Sequence, residues 1–358
     1  MTADLRCSFL VPGDLNTRTG GYTYDRHIID GLRAQQWQVH VLALGDGYPA
    51  PDAMAREQTR RIVEALPEGT LAVVDGLAFG VMDELARAHA QRLRWVALVH
   101  HPLSLETGLD ALQQSALFHS ERKALVAARG VIVTSPFTAR GLAAFEVPLE
   151  RIAVVEPGTE PAPLAAGSGG GDALSLLCVA TITPRKGHAL LIEALAGLKD
   201  RRWTLHCAGS LSMDAGCTRA LAEAIDAHGL QGRVVLHGEQ DATGLAALYD
   251  VSDAFVLASF HEGYGMALAE ALARGLPVIS TRAGAIADTV PADAGELVPP
   301  GDVVALRAAL GRLMDDTDWR DQLRAGAQAA RQRLPTWSRS SEAFASALLD
   351  VRQRPFPA

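Results

Sequence analysis

Several features that define common classes of protein are missing from this chain. No apolar run approaches the roughly 20 residues that cross a bilayer, and the first residues do not begin a basic segment followed by a long apolar stretch. We therefore expect neither a membrane span nor a signal peptide. The four cysteines include no CxxC pair, and Cys7, Cys178 and Cys207 lie in apparent buried strands. This usage predicts free thiols in a reducing cytoplasm.

A basic region is also lacking. The net charge is −8, and the residues up to 160 and those beyond each carry −4. Neither half is suited to nucleic acid, so we expect no nucleic-acid partner. The basic pairs Arg92/Arg94 and Arg122/Lys123 leave peripheral contact with the inner membrane face open, although solvated helix faces explain them as well. Only 3 of the 33 basic residues are lysines, so a lysine within a motif is informative.

The motifs of several enzyme classes are absent from the sequence. The loop over residues 12–21 is not GxGxxG, which leaves a nicotinamide or flavin site there unsupported. We find no GxSxG elbow, no Walker loop and no HxxxH or HExxH spacing. The adjacent His100 and His101 end an apparent strand, where neighbouring side chains point in opposite directions. We therefore predict no metal site and no bound cofactor.

The sequence does contain two series of alternating strands and helices. The 358 residues suffice for two domains of ordinary size, and 48% of them are hydrophobic. We predict one doubly wound α/β domain over 1–156 and a second over 174–337. A Pro/Gly-rich linker over 157–173 separates them, and residues 338–358 form a final helix.

The most informative stretch is residues 253–274, which predict a buried strand, a tight turn and a helix. Glu262 follows the strand, and Glu270 lies within the helix. Between them, the helix N-terminus offers free backbone N–H groups to a phosphate. Carboxylates that hold hydroxyls, on either side of an anion seat, suit a nucleotide-sugar.

Two further segments carry candidate functional residues. Arg185 and Lys186 follow a strand and precede a helix. There the planar guanidinium of the arginine and the ammonium group of the lysine would together bind a diphosphate. A charged surface loop is the alternative. A histidine of the His100-His101 pair would hydrogen-bond a sugar hydroxyl, and the sequence does not decide which of the two faces the ligand. Gly20 and Gly21 lack side chains, so the backbone there can approach a ligand closely. The alternative is an ordinary surface loop, since loops after a first strand are often rich in glycine.

These motifs together resemble the retaining glycosyltransferases of the GT-B fold, in the large glycosyltransferase family four. The resemblance runs nearly end to end. It is strongest in the Glu-x7-Glu stretch from Glu262 to Glu270 and in the PRKG loop containing Arg185 and Lys186, which are correctly ordered and spaced. It implies two Rossmann-like domains that face each other across a cleft, with the last helix crossing back to the first domain.

The resemblance implies a role for each matching residue. Arg185 and Lys186 would hold the diphosphate of the donor and stabilise the charge of the leaving group. Glu262 would hold a hydroxyl of the donor sugar, and Glu270 would accept hydrogen bonds from the ribose. His100 would approach the donor sugar. The remaining implied donor-binding residues are Gly20, Gly21, Gly209, Ser210, Gly238, Gly263, Tyr264, Gly265 and Met266.

The implied reaction moves a sugar from a nucleotide-sugar, with UDP favoured and GDP second, to a hydroxyl acceptor with retention and without a metal. The acceptor is a glycan, a lipid-linked glycan or a small molecule, and the sequence does not specify the oligomeric state. A nucleotide-sugar 2-epimerase of the same fold and a non-catalytic nucleotide-sugar-binding protein remain as alternatives. The segment Gly284–Asp288 and the residues His101 and His261 depart from the family pattern.

Overall fold

The computed structural model describes residues 5–169 and 173–354. These residues form two compact units. The N-terminal unit comprises the described part of Met1–Gly158 together with that of Pro335–Ala358, and the C-terminal unit comprises the described part of Thr159–Leu334. No helix within the two described ranges has both the length and the hydrophobicity needed to cross a membrane.

The N-terminal unit is built on a parallel six-stranded sheet of order β2-β1-β3-β4-β5-β6. Its strands are short and almost wholly apolar because helices cover both faces of the sheet. The elements are β1 Arg6–Pro12, α1 Gly20–Ala34, β2 Gln38–Leu44, α2 Ala53–Ala65, β3 Leu71–Asp75, α3 Gly76–Phe79, α4 Asp83–Ala88, β4 Arg94–Val99, α5 Ala111–Ala127, β5 Gly130–Val133, α6 Pro136–Gly141 and β6 Ile152–Val154.

The C-terminal unit repeats this plan with a parallel sheet of order β12-β11-β10-β7-β8-β9. Its elements are β7 Leu174–Val179, α7 His188–Ala196, β8 Trp203–Ala208, α8 Ala215–Ala227, β9 Val234–Gly238, α9 Ala242–Asp250, β10 Ala254–Leu257, α10 Met266–Ala273, β11 Val278–Thr281, α11 Ile286–Thr289, β12 Gly295–Val298, α12 Val303–Asp315 and α13 Thr317–Ala330. The prediction of two Rossmann-like α/β domains is confirmed.

The strand order places a switch point in each sheet. From β7 the chain adds strands on one side as far as β9, and then returns to pair β10 with the other side of β7. In the N-terminal unit β1 has the same role, with β2 on one side and β3 on the other. Ligands of open α/β sheets bind beyond the carboxyl ends of the strands at such points. A ligand site is therefore expected at the loops after β7 and β10.

The last helix, α14 Trp337–Gln353, packs within the N-terminal unit. A Cβ placed on Gly31 of α1 would lie 2.3 Å from the Cβ of Ser341, so glycine permits the close approach of the two helices. The rings of Phe9 and Phe344 stack with centroids 6.3 Å apart. The chain thus enters the C-terminal unit after β6 and returns for one helix.

The segment expected to be a linker is bound along the C-terminal unit. Ala165 N donates to Arg274 O at 2.9 Å, and Gly167 N donates to Asp250 O at 2.8 Å. The change of unit falls at Gly158–Thr159, near the start of the predicted linker. Gly170, Gly171 and Asp172 of that linker lie outside the described residues, as do residues 355–358 of the predicted final segment.

Two further predictions from the sequence can be compared with the fold. The four cysteines are free thiols, and Cys7, Cys178 and Cys207 are buried in strands as expected.

Gly20 and Gly21 were expected in a loop, but they form the first turn of α1. The reason is the Thr19 side chain, which accepts a hydrogen bond from Tyr22 N and caps the helix at that point.

Candidate active site

The loops after β7 and β10 meet through a glycine. Arg185 and Lys186 lie in a single 3-10 turn, which ends at Gly187 with φ of +68°. A Cβ on Gly187 would lie 2.0 Å from the carbonyl oxygen of Ala258, so only glycine allows the two loops to pack this closely. Phe260 N then donates to Arg185 O at 2.7 Å. This backbone contact brings the basic pair beside Glu262.

Lys186 and Glu262 form a partly buried ion pair in this structure. Lys186 Nζ lies 2.6 Å from Glu262 Oε1 and 2.9 Å from Oε2. The hydroxyl of Ser259 donates to Oε1 at 2.6 Å. Arg185 Nη1 lies 3.8 Å from Oε2 and donates to the carbonyl oxygen of His261 at 2.9 Å. Two cations and one carboxylate therefore share the end of β10.

These partners keep Glu262 ionised. The residue is 5% exposed, and burial raises the pKa of its carboxyl. The charges of Lys186 and Arg185, with the hydrogen bonds from Lys186 and Ser259, outweigh burial and lower the pKa below its ordinary value. At neutral pH the side chain is a hydrogen-bond acceptor and not a proton donor. It suits a role in holding hydroxyls or balancing cations.

The turn between the two glutamates presents backbone N–H groups. Gly265 has φ of +93° and precedes Met266, the first residue of α10. The hydroxyl of Thr289 donates to Tyr264 O at 2.7 Å and fixes the turn from behind. The free N–H groups at the start of a helix attract anions. The predicted phosphate seat over Gly263, Tyr264, Gly265 and Met266 thus leads into a helix N-terminus, and the helix begins four residues after Glu262.

A second glycine supports the backbone of Glu262. Gly284 has φ of +62°, and a Cβ there would lie 2.2 Å from Glu262 O. Ala285 N donates to that same oxygen at 2.9 Å. The segment after β11 departs from the family pattern and is not part of the predicted site. It nevertheless packs against the backbone of Glu262 and supports it.

Glu270 lies apart from this pair, on α10. Tyr249 is fully buried, and its hydroxyl lies 3.0 Å from Glu270 Oε2 and 3.2 Å from Ala267 O. The guanidinium of Arg274 stacks over the Tyr249 ring at 4.2 Å. Burial raises the pKa of the Glu270 carboxyl, although Tyr249 and Arg274 oppose the shift. One carboxylate oxygen is oriented by tyrosine, which leaves the other for a ligand.

The other predicted residues of the C-terminal unit lie at the ends of β8 and β9. Gly209 N donates to Gly238 O at 3.0 Å, and Ile182 N donates to Ser210 O at 3.1 Å. A Cβ on Gly209 would lie 2.1 Å from the carbonyl oxygen of Ala180. The glycine therefore brings this loop against the end of β7, alongside the one that carries Arg185.

His100 follows β4 in the N-terminal unit, and carboxylates face it. Its Nε2 lies 3.3 Å from Asp25 Oδ1 and 3.6 Å from Asp75 Oδ2. Burial lowers the pKa of the imidazole, but the two carboxylates outweigh it and raise the pKa to about 10. A Cβ on Gly21 would lie 3.4 Å from the ring. His101 turns elsewhere, with Nε2 3.2 Å from Glu106 Oε2.

The sequence reasoning missed the residues that orient these side chains: Ser259, Tyr249, Gly284, Asp25 and Asp75. Two of them carried a signal. Asp25 occupies the apolar stripe of α1 at the spacing of Ile28, Ile29 and Leu32, and Asp75 ends an otherwise apolar strand. A carboxylate in either position is costly unless it has a partner.

Part of the chain matches a known protein family. Residues 173–316 match the sequence profile of the family described as Glycosyl transferases group 1. This match covers most of the C-terminal unit and less than half of the chain. The matched region holds Arg185, Lys186, Glu262 and Glu270.

Curated glycosyltransferases align with part of this chain. It is 30% identical over 213 residues to the D-inositol 3-phosphate glycosyltransferase of Salinispora tropica, an alignment covering 53% of this chain and 44% of the relative. It is 32% identical over 188 residues to a putative colanic acid biosynthesis glycosyltransferase of Escherichia coli, with 48% and 44% covered. The chain spans about half the length of the curated relatives it matches.

Solved structures match this chain over nearly its whole length. The sucrose-phosphate synthase of Thermosynechococcus elongatus gives a TM-score of 0.80 at 22% identity, with 95% of this chain and 98% of that chain covered. Anabaena Alr3699/HepE, solved in complex with UDP and glucose, gives 0.75 at 18% identity, with 95% and 99% covered. At such identities the likeness establishes the fold, and that fold is GT-B.

Proposed function

We propose that this chain is a retaining glycosyltransferase that moves a sugar from a nucleoside diphosphate sugar to a hydroxyl acceptor. The observation that carries the proposal is the cluster of Arg185, Lys186 and Glu262 beside the N-terminus of α10. It lies at the switch point of the C-terminal sheet and within the region that matches the family profile. Charge, position and family thus agree on one site.

The donor diphosphate would take over the cations of this cluster. Lys186 Nζ is now paired with Glu262, and its side chain is 18% exposed, so an anion can reach it from solvent. A diphosphate carries more charge than one carboxylate and would compete for both Lys186 and Arg185. Glu262, ionised and oriented by Ser259, would then accept a hydrogen bond from a hydroxyl of the donor sugar.

The reaction breaks the bond between the anomeric carbon and the β-phosphate oxygen and forms a bond from that carbon to the acceptor oxygen. The acceptor proton passes to the departing phosphate, so no protein base is needed. Arg185, Lys186 and the α10 N-terminus would stabilise the charge that develops on the leaving group. We propose that these groups replace a metal ion in that role.

UDP is the favoured nucleotide, with GDP second. Support comes from the Anabaena protein of the same fold, whose structure was solved with UDP and glucose. The acceptor is a glycan, a lipid-linked glycan or a small molecule. The relatives named above are glycosyltransferases, so comparison favours transfer over the alternative 2-epimerase.

A panel of nucleotide-sugars tests the proposal directly. We expect release of the nucleotide diphosphate to rise when an acceptor is present, with the same rate in EDTA, and the product to keep the anomeric configuration of the donor by NMR. Lys186→Ala should lower turnover by at least a hundredfold through loss of leaving-group stabilisation. Lys199→Ala, at an exposed lysine of the same unit, is the matched control and should be unaffected.

Three results would count against this function. Unchanged nucleotide release by Lys186→Ala would remove the assigned role of the lysine. Interconversion of the nucleotide-sugar at C2 without an acceptor would favour the epimerase. Tight binding of UDP-sugar with no turnover on any acceptor would favour a non-catalytic binding protein.

A further inference from the structure

Two carboxylates of the N-terminal unit are buried without the solvent that ions normally require. Asp25 on α1 is 0% exposed, and its Oδ1 lies 3.3 Å from Nε2 of His100. Asp75 at the end of β3 is 1% exposed, and its Oδ1 accepts a hydrogen bond from Leu77 N at 2.7 Å. Burial of two negative charges is expensive unless a cation is close.

The side chain that faces both carboxylates is His100. Its Nε2 lies 3.3 Å from Asp25 Oδ1 and 3.6 Å from Asp75 Oδ2, the oxygen that Leu77 leaves free. The ring is also fixed sterically, with Gly21 beneath it and the Tyr24 ring packed edge-on, its centroid 5.4 Å from that of the imidazole. Its other nitrogen, Nδ1, makes no hydrogen bond within the part of the chain that the structure describes, and the side chain is 20% exposed.

We propose that Asp25 and Asp75 are positioning residues that hold Nε2–H of His100 between them, so that Nδ1–H is the donor the ring offers to the substrate. This inference rests on the proposed function and on the role that the family resemblance implies for His100, an approach to the donor sugar. A doubly protonated ring donates from both nitrogens and has no lone pair to act as a base. It therefore recognises an oxygen acceptor, either a sugar hydroxyl or a phosphate oxygen.

The other titratable groups near the ring do not disturb this charge balance. Burial and the carboxylates of Asp75 and Asp25 raise the pKa of Tyr22, and burial and Asp25 raise the pKa of Tyr24. Both phenols are neutral at pH 7, and each donates its hydroxyl proton to a backbone carbonyl, that of Pro12 or Val155. Neither phenol therefore adds a charge that would compete with the attraction between the two carboxylates and the imidazole.

A mutant cycle separates positioning from general support of the fold. We expect Asp25→Asn and Asp75→Asn each to lower kcat/KM by about ten- to a hundredfold, because each removes a negative charge within 3.3–3.6 Å of Nε2. In a His100→Ala background the same changes should have no further effect. Asp30→Asn, also on α1 but exposed, is the matched control and should leave activity unchanged. Equal losses in both backgrounds would overturn the inference, because a structural role does not depend on His100.

Two measurements on the folded chain complete the test. Imidazole ¹⁵N NMR should show both nitrogens of His100 protonated at pH 7.5, and loss of one proton in the Asp25→Asn/Asp75→Asn variant. A neutral ring in the wild type, or a stoichiometric metal ion lost on Asp25→Asn, would overturn the proposal, since Nε2 would then not be a donor. A comparison of UDP affinity with the KM for UDP-sugar in His100→Ala tells a phosphate partner from a sugar partner.

The outcomes also distinguish failure of this inference from failure of the proposed glycosyltransferase function. His100→Ala with wild-type turnover would remove the role of His100 and the inference with it. The donor-site proposal would still stand or fall on Lys186→Ala. An inactive His100→Ala, combined with fully active aspartate variants, would refute the positioning role alone.

Discussion

The ion pair of Lys186 and Glu262 makes a measurable prediction about stability. Lys186→Met removes the cation and leaves a carboxylate that is 5% exposed, with Ser259 as its remaining close hydrogen-bond donor and Arg185 3.8 Å away. Breaking a buried pair in this way costs about 3–5 kcal/mol. The lysine end lies 18% exposed and the arginine partly compensates, so we expect a cost of about 3 kcal/mol.

Removal of the other partner should cost less. Glu262→Gln leaves Lys186 unpaired, but its ammonium group can reach water, and we expect a loss of about 1 kcal/mol. The double variant removes both charges and keeps the oxygen that accepts from Ser259. We expect it to be more stable than Lys186→Met alone, so that the coupling energy of the pair is about 2 kcal/mol.

The stability of the two single variants and the double variant is measured by chemical denaturation, with hydrogen exchange in β10 and α10 as the readout. Peptides from these two elements report on the C-terminal unit. A loss of 3 kcal/mol corresponds to about 6–12 °C in the melting temperature of a domain of this size. Additivity of the two single changes within about 0.5 kcal/mol would refute the reasoning, since the pair would then contribute no coupling.

Three further predictions follow from other buried positions. Glu121 is 1% exposed, and burial raises its carboxyl pKa from 4.5 to about 8, against the hydrogen bond it accepts from Leu103 N. This raised pKa contributes stability that is fully present below pH 4.5 and is lost as the pH rises through 8. The unfolding free energy of the wild type should therefore fall by up to about 5 kcal/mol between pH 5 and 9, and Glu121→Gln should remove most of that decline. Tyr249→Phe should weaken UDP binding about tenfold by calorimetry, because Glu270 loses its orienting hydrogen bond. Gly187→Ala should destabilise the C-terminal unit by more than about 2 kcal/mol, since a Cβ there meets a backbone oxygen at 2.0 Å.

Each of these predictions has a control in the same chain. Glu84→Gln changes an exposed glutamate and should leave the pH profile steep. Tyr48→Phe lies in the other unit and should not alter UDP affinity. Gly229→Ala shares a positive φ but meets nothing within 4 Å, so its cost should be about 1–2 kcal/mol. Equal effects of a variant and its control would contradict the corresponding assignment.

The fold was predictable because buried parallel strands are written as short apolar runs. Leu71–Asp75 and Ala254–Leu257 are such runs, and both are fully buried strands. The start of α1 was not predictable from its glycines, because the Thr19 cap decides it. Local patterns therefore fix the elements, whereas caps fix their ends.

The site was predictable where one stretch of chain carries it. Glu262, Glu270 and the turn between them lie within nine residues, and the PRKG loop supplied the cations. The direct contact of Lys186 with Glu262 joins residues 76 apart in sequence, and the approach of Asp75 to His100 joins different strands. Such pairings depend on sheet order and side-chain direction, which no local pattern records.

The packing of α14 within the N-terminal unit has a consequence for biosynthesis. That helix is translated only after the whole C-terminal unit, which spans Thr159–Leu334. At about 5–20 residues per second, the surface that Ser341 and Phe344 will cover stays bare for roughly 9–35 s after Gly158 has been made. Until then the apolar face of β1 and α1 is exposed to chaperones and to other nascent chains. The first domain to be synthesised is thus the last to be completed.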